Sequence, residues 1–274
     1  MIDLHTHSRA SDGTLSPTEL VSLAAGRGVT LLSLTDHDCL DGVAEARSAC
    51  GTAGIRFLPG VEVSTSWDRK TLHIVGLGVD PENAALQAGL ARLQAVRDAR
   101  GAEIGKRLEA KGIAGAHAGA AKIAGPARLT RTHYARFLLE AGHVQELQQA
   151  YRRYLGRGKP GHVSVEWASL EETLDWIHGA GGRAVLAHPL RYGFTRAWLV
   201  KILTAFKQAG GDAMEIVSGR YNPDEIAVSA HLAGRFELMG SVGSDFHAPS
   251  AWLQPGVETP LPAGIKAVWE GLNA

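Results

Sequence analysis

The sequence opens on Asp3-Leu4-His5-Thr6-His7, with two imidazoles two residues apart in a short apolar run. In an extended strand, side chains at i and i+2 leave on the same face, so both rings converge on one side. A lone pair of this kind also occurs for structural reasons, and Asp12, in Ser11-Asp12-Gly13-Thr14, taken alone reads as a turn aspartate. The pattern then returns. Leu31–Thr35 runs straight into Asp36-His37-Asp38, Glu62 follows Gly60-Val61, and His73 lies in Leu72-His73-Ile74. His188 ends Ala184–Ala187 and precedes Pro189, and Ser244-Asp245-Phe246-His247 closes the series. An unpaired Glu62 carboxylate among apolar neighbours would cost on the order of several kcal/mol, which a nearby cation would offset. His73 alone reads equally well as a hydrogen-bonded core histidine. Together, histidines and carboxylates end strand after strand, which is where α/β barrels assemble their sites. Nitrogen and oxygen donors without thiolate suit manganese, iron or zinc better than a cysteine-bound structural zinc. Cys39, beside His37, reads as a small buried hydrophobe.

Candidate anion contacts are fewer. Arg191 follows His188-Pro189 at a ligand-bearing strand end, while Arg131-Thr132-His133 and Arg157-Gly158-Lys159 are phosphate-clamp candidates that also read as solvated surface charge.

Positioning these residues requires strands. Ile2–Leu4, Leu31–Leu34, Phe57–Val63, Leu72–Leu77, Ala184–Ala187, Met214–Val217 and Leu238–Val242 are short apolar runs that read as buried parallel strands. Between them lie helix-like stretches: Pro17–Arg27 after the cap Ser16, Leu40–Ala49, Leu170–His178, Trp198–Gln208 and Pro223–Leu232. Alternation of strand and helix predicts an α/β fold. From Glu82 to Gly158 the periodicity is helical throughout, so residues 82–158 are expected to form a helical insertion over the site, and 1–81 with 159–274 a discontinuous barrel. Within the insertion, Ala114–Gly125 is alanine- and glycine-rich and is expected to be loose.

At 274 residues with 45% hydrophobic content, the chain can bury a sizeable core. Its 28 basic residues equal its 28 acidic ones, so no global positive field would hold a long duplex nucleic acid. Two cysteines form no disulfide framework and fit a reducing compartment, which makes the cytoplasm the expected location. No secretory leader is apparent and no run approaches the ~20 apolar residues that cross a bilayer, so no membrane partner is expected.

Taken in order, Asp3-Leu4-His5-Thr6-His7-Ser8, Ser11-Asp12-Gly13, Thr35-Asp36-His37-Asp38, Gly60-Val61-Glu62, Ala187-His188-Pro189 and Gly243-Ser244-Asp245-Phe246-His247 resemble the PHP (polymerase and histidinol phosphatase) family. The resemblance implies a distorted (β/α)7 barrel holding two or three divalent metal ions, manganese before iron or zinc. It implies one ion on His5, His7, Glu62 and Asp245, a second on Glu62, His73 and His188, and a third on Asp12, His37 and His247, with Glu62 as the bridge. The insertion and Tyr154-Leu155-Gly156-Arg157-Gly158-Lys159-Pro160 look like those of stand-alone members acting on nucleotides. The activity implied is hydrolysis of a small phosphorylated nucleotide, such as a nucleoside 3′,5′-bisphosphate yielding the 5′-monophosphate. The alternatives are 5′-to-3′ removal of nucleotides from short RNA or DNA, suggested by the basic cluster Arg152, Arg153, Arg157 and Lys159, hydrolysis of histidinol phosphate, and a non-catalytic metal-binding module.

Overall fold

The computed structural model describes residues 1–250 and 253–273. The chain divides into two compact units, Met1–Leu90 with Ala168–Ala274, and Ala91–Trp167. The first contains β1 (Ile2–Asp3), α1 (Pro17–Gly26), β2 (Leu31–Leu34), α2 (Val43–Ala53), β3 (Arg56–Trp67) and β4 (Lys70–Leu77). Helix α3 (Ala84–Glu109) starts in the first unit and continues into the second, which adds α4 (Ala116–Ala124), α5 (Arg131–Glu140), α6 (Leu147–Ala150) and a π-helical turn at Tyr151–Leu155. The chain then returns through β5 (Ala168–Ser169), α7 (Leu170–Gly179), β6 (Arg183–Leu186), a 3-10 turn at Pro189–Tyr192, α8 (Arg196–Gln208), β7 (Ala213–Ser218), α9 (Pro223–Arg235) and β8 (Met239–Gly243).

Several helix starts are fixed by local chemistry. Ser16, Ser169 and Asn222 each accept the N–H of a glutamate three residues on, and that glutamate returns a bond to the cap's own N–H. Such a reciprocal box satisfies two of the donors that a helix start leaves open.

The strands follow the order β1-β2-β3-β4-β6-β7-β8, with the short β5 beside β3. The edges approach one another: Leu4 N–H donates to Val242 O at 3.0 Å and His7 N–H to Phe246 O at 2.8 Å. The result is a distorted α/β barrel. Its distortion is β4, which pairs antiparallel with both β3 and β6, whereas Leu72–Leu77 had read as a parallel strand. The cause is the two-residue link Asp68-Arg69, whose φ angles of 44° and 59° are those of a hairpin turn that reverses the chain at once. A parallel return would need a crossover of a dozen or more residues.

Ala114–Gly125 also departs from expectation, since most of it is helix α4. Alanine is the best helix former, and Ala116, Ala120 and Ala124 repeat every fourth residue to give a buried face of small side chains. Gly119 on this helix lies so close to the Phe137 ring of α5 that a Cβ there would overlap it. Among the described residues, no helix is long and apolar enough to cross a membrane.

Candidate metal centre

The barrel brings one residue after another to the same end of its strands. His5 and His7 lie just past β1, His37 just past β2, Glu62 within β3, His73 within β4, His188 just past β6, and Asp245 and His247 just past β8. The pairing between β2 and β3 persists beyond the strand as an isolated bridge between His37 and Glu62, which holds these two in register. Three of the turns use left-handed backbone at residues other than glycine, with φ of 52° at Asp38, 32° at His188 and 54° at Asp245. Such conformations persist only where the surroundings enforce them.

Glu62 is fully buried and stands in the middle. Its Oε1 lies 2.9 Å from His73 Nδ1, 3.1 Å from His188 Nε2 and 3.4 Å from His5 Nε2. Its Oε2 lies 2.8 Å from His37 Nδ1 and 3.3 Å from His7 Nε2. Asp245 Oδ1 is 3.4 Å from His7 Nε2 and 3.6 Å from His5 Nε2, and Asp12 Oδ1 is 3.3 Å from His247 Nε2 and 3.9 Å from His37 Nε2. All nine candidate ligands are thus brought together. Among the described residues, three groups have donor atoms within 4.8 Å of one another: His7 with Asp12, His37 and His247; His5 with His7 and Asp245; and His37 with Glu62 and His73. His7 and His37 therefore each stand between two groups.

The electrostatics match a cation site. Burial works against charge throughout. At His5, burial is outweighed by the carboxylates of Glu215 and Glu62, which hold the ring's pKa well above the ordinary imidazole value. At His7, burial dominates and the neighbouring His247 and His37 add to it, lowering the pKa to about 3. Burial would raise Glu62 and Asp12, yet His37, His73 and His5 hold the first well below the carboxylate range, and His247 and His37 the second. His247 is lifted to about 9, with burial overcome by Asp12 and Asp245. Carboxylates that hold protons on neighbouring imidazoles would also hold a divalent ion, which displaces those protons on binding.

The donor set fits a metal on geometric grounds as well. His5 Nδ1 is 2.6 Å from Glu215 Oε1, so the hydrogen-bond network assigns the proton there and turns Nε2 toward the centre. That Nε2 faces His7 Nε2 at 3.1 Å. Glu62 Oε2 and His73 Nδ1 are buried at ion-pair distance from their neighbours but outside hydrogen-bond geometry. Lone pairs converging in this way are what a bound cation satisfies.

Around this cluster stand residues that hold it in place. Asp36 and Asp38, part of the polar triplet that included His37, do not join it. Asp36 accepts the Ser8 N–H at 2.8 Å and the Ser8 and Ser11 hydroxyls at 2.6 and 2.5 Å, while Asp38 accepts the Ser64 N–H at 2.6 Å. Asp3 ties β1 to the chain after β8 by accepting the N–H groups of Ser244 at 2.8 Å and Gly256 at 2.7 Å. Glu215 of β7 was missed in the sequence. It is buried, and its second oxygen accepts the backbone N–H of His188 at 2.7 Å. The signal was present, since Glu215 lies inside the apolar run Met214–Val217 just as Glu62 lies inside its own.

Gly243 makes room for this arrangement. A Cβ there would overlap His5 Cβ and come within 3.2 Å of Glu215 Oε1. Gly243→Ala is therefore expected to destabilise the fold by about 1–3 kcal/mol through overpacking, lowering Tm by several degrees and metal content with it. Thermal melting with elemental analysis of the purified variant checks this.

The candidate anion contacts are placed differently from one another. Arg191 is in the first unit, and its Nη1 pairs with Asp245 Oδ2 at 2.7 Å. In the second unit, His133 is buried and its Nδ1 accepts the N–H of Thr130, closing the capping box of α5. Arg131 is half-buried in the first turn of that helix, and Arg157 and Lys159 are exposed after the π-helical turn.

Comparison with known proteins agrees with this picture. The PHP domain model matches residues 3–170. The chain is 48% identical to the 3′,5′-nucleoside bisphosphate phosphatase of Chromobacterium violaceum, over 100% of this chain and 96% of that one. It is 45% identical to a 5′-3′ exoribonuclease of Haemophilus influenzae, over 98% of this chain and 97% of that one. A solved structure described as an amidohydrolase from Chromobacterium violaceum with bound sulfate and no metal superposes with a TM-score of 0.95 at 48% identity, covering 99% and 95% of the two chains. Barrel, centre and relatives define a metal-dependent phosphoric ester hydrolase. The chain belongs to the PHP domain family.

Proposed function

We propose that this chain removes the 3′-phosphate of a nucleoside 3′,5′-bisphosphate, leaving the nucleoside 5′-monophosphate. The observation that carries this reading is the convergence of five histidines on the buried Glu62 carboxylate, in a chain 48% identical along its whole length to a phosphatase of that kind. His5, His7, Glu62 and Asp245 would hold one ion, Glu62, His73 and His188 a second, and Asp12, His37 and His247 a third, with manganese the first choice for this donor set. Such ions supply activation of water near neutral pH and neutralisation of phosphate oxygens. The chain's own part is to fix the donors on rigid strand ends, so that little reorganisation accompanies reaction. Arg191 Nη1 pairs with Asp245 Oδ2 at 2.7 Å, and a substrate phosphate would compete with Asp245 for its fork.

The test is phosphate release from adenosine 3′,5′-bisphosphate by protein of counted metal content, with and without added manganese. Release of the 3′-phosphate and its abolition by a chelator are expected. Intact bisphosphates and intact phosphomonoesters throughout would overturn the reading. A second reading, stepwise 5′-to-3′ shortening of short RNA, is favoured by the 45% identity to an exoribonuclease, and a ladder of products from labelled oligonucleotide distinguishes it.

A further inference from the structure

From His188 a run of aromatic rings leads away from the centre across the first unit. His188 meets Tyr192 edge-on at 5.2 Å between ring centroids, and Tyr192 stacks on Phe194 at 5.3 Å. Phe194 lies 6.4 Å from Trp198, which meets Trp67 edge-on at 6.2 Å. Tyr192, Phe194, Trp198 and Trp67 are all half-buried rather than enclosed. Trp67 ends β3 five residues beyond Glu62, which at about 3.3 Å per strand residue places it roughly 17 Å outside the centre.

Cations accompany the rings. Lys70 Nζ lies 4.2 Å from the Trp198 ring and 5.4 Å from Phe194, and Lys201 Nζ lies 4.8 Å from Trp198. Lys201 also approaches Asp68 at 3.8 Å, a pair so exposed that it holds the lysine only weakly. Arg69 at the hairpin tip and Arg196 at the start of α8 are exposed beside this track.

Rings interleaved with ammonium groups, starting at a phosphoester centre, match one ligand chemistry closely. A single-stranded nucleic acid offers bases to the rings and phosphates to the cations. An acidic peptide would engage the lysines and leave the rings unused, and a duplex keeps its bases stacked within itself. We propose that this track, Phe194 and Trp198 with Lys70 and Lys201, binds the single strand of an oligonucleotide whose first internucleotide phosphate occupies the metal centre. The inference rests on the reading that the centre takes nucleotides, and it supplies what a mononucleotide would not need. A base stacking on Phe194 or Trp198 displaces the Lys70 ammonium from the ring, and stacking is the stronger of the two interactions. The freed ammonium then meets the adjoining phosphate.

The test uses the whole metal-loaded protein, a 5′-phosphorylated hexauridylate with phosphorothioate linkages as binding probe, and turnover of adenosine 3′,5′-bisphosphate in parallel. Wild type is expected to bind the hexamer at least about tenfold more tightly than the mononucleotide. Trp198→Leu, which keeps an apolar side chain at a half-buried position, is expected to weaken the hexamer roughly tenfold. Lys70→Gln is expected to reduce the slope of log affinity against log salt by about 0.7, the share of one single-strand phosphate contact. Both variants should leave KM and kcat for the bisphosphate within about twofold of wild type. Equal wild-type affinity for hexamer and mononucleotide, variants that bind the hexamer as wild type does, or a parallel loss of both substrates would each overturn the proposal. Tight, variant-sensitive hexamer binding without phosphate release from any nucleotide would support the track and count against the phosphatase reading alone.

Discussion

Glu62→Gln is expected to lower turnover by about three orders of magnitude or more and to strip the centre of metal. The carboxylate is fully buried and presents one oxygen to His5, His73 and His188 and the other to His7 and His37. An amide of the same shape keeps one acceptor and replaces the other by a donor, which would point at imidazoles or at a cation. Without metal the same change also removes one of the two carboxylates, Glu215 and Glu62, that hold the buried His5 ring protonated, and removing one partner of a buried charged pair costs about 3–5 kcal/mol. Loss of activity should therefore coincide with a lower Tm and a lower metal count by elemental analysis. Glu62→Asp keeps the charge and shortens the reach, so it should recover part of the metal content and less of the turnover. A Glu62→Gln protein with wild-type metal and wild-type turnover would remove Glu62 from the centre altogether.

What the sequence disclosed of this centre follows from where its residues stand. His5, His7, His37, His188, Asp245 and His247 each lie at or just beyond the end of an apolar run, so their types and positions can be read from one dimension. How they group cannot. His7 reaches both the Asp12 group and the Asp245 group, and His37 reaches both the Asp12 group and Glu62, because these are distances across the barrel mouth. The direction of β4 was hidden for a different reason. Its apolar run looks the same either way round, and the reversing turn Asp68-Arg69 lacks the Asn-Gly or Asp-Gly pair that ordinarily marks a tight hairpin. Helix α4 was hidden by its composition, since glycine reads as a breaker until Phe137 is seen against Gly119. The aromatic track is invisible in sequence because Trp67 and Trp198 meet only through the hairpin and the start of α8.

Glu215→Gln is the complementary expectation, for a residue that need not touch a metal itself. Glu215 Oε1 accepts the Nδ1–H of His5 at 2.6 Å, and Oε2 accepts the backbone N–H of His188 at 2.7 Å. One carboxylate thus sets the ring orientation of a ligand from the β1 end and the left-handed backbone of a ligand from the β6 end. The pairing of β7 with β8 shifts register between Glu215 and Val217, a bulge of the kind that re-aims a side chain beside a site. Glutamine can accept from one of the two donors, and its NH2 then faces the other. Loss of a partner that orients a ligating histidine costs about 10–100-fold in metal affinity or activity. The variant is expected to lose metal at concentrations where wild type stays loaded, and to regain much of its kcat when metal is added in excess. That rescue separates it from Glu62→Gln, which no excess of metal should restore, because there a ligand itself is missing. Titration of both variants with manganese, read by calorimetry and by phosphate release, makes the comparison. Wild-type affinity and turnover in Glu215→Gln would mean that His5 and His188 are held by packing alone.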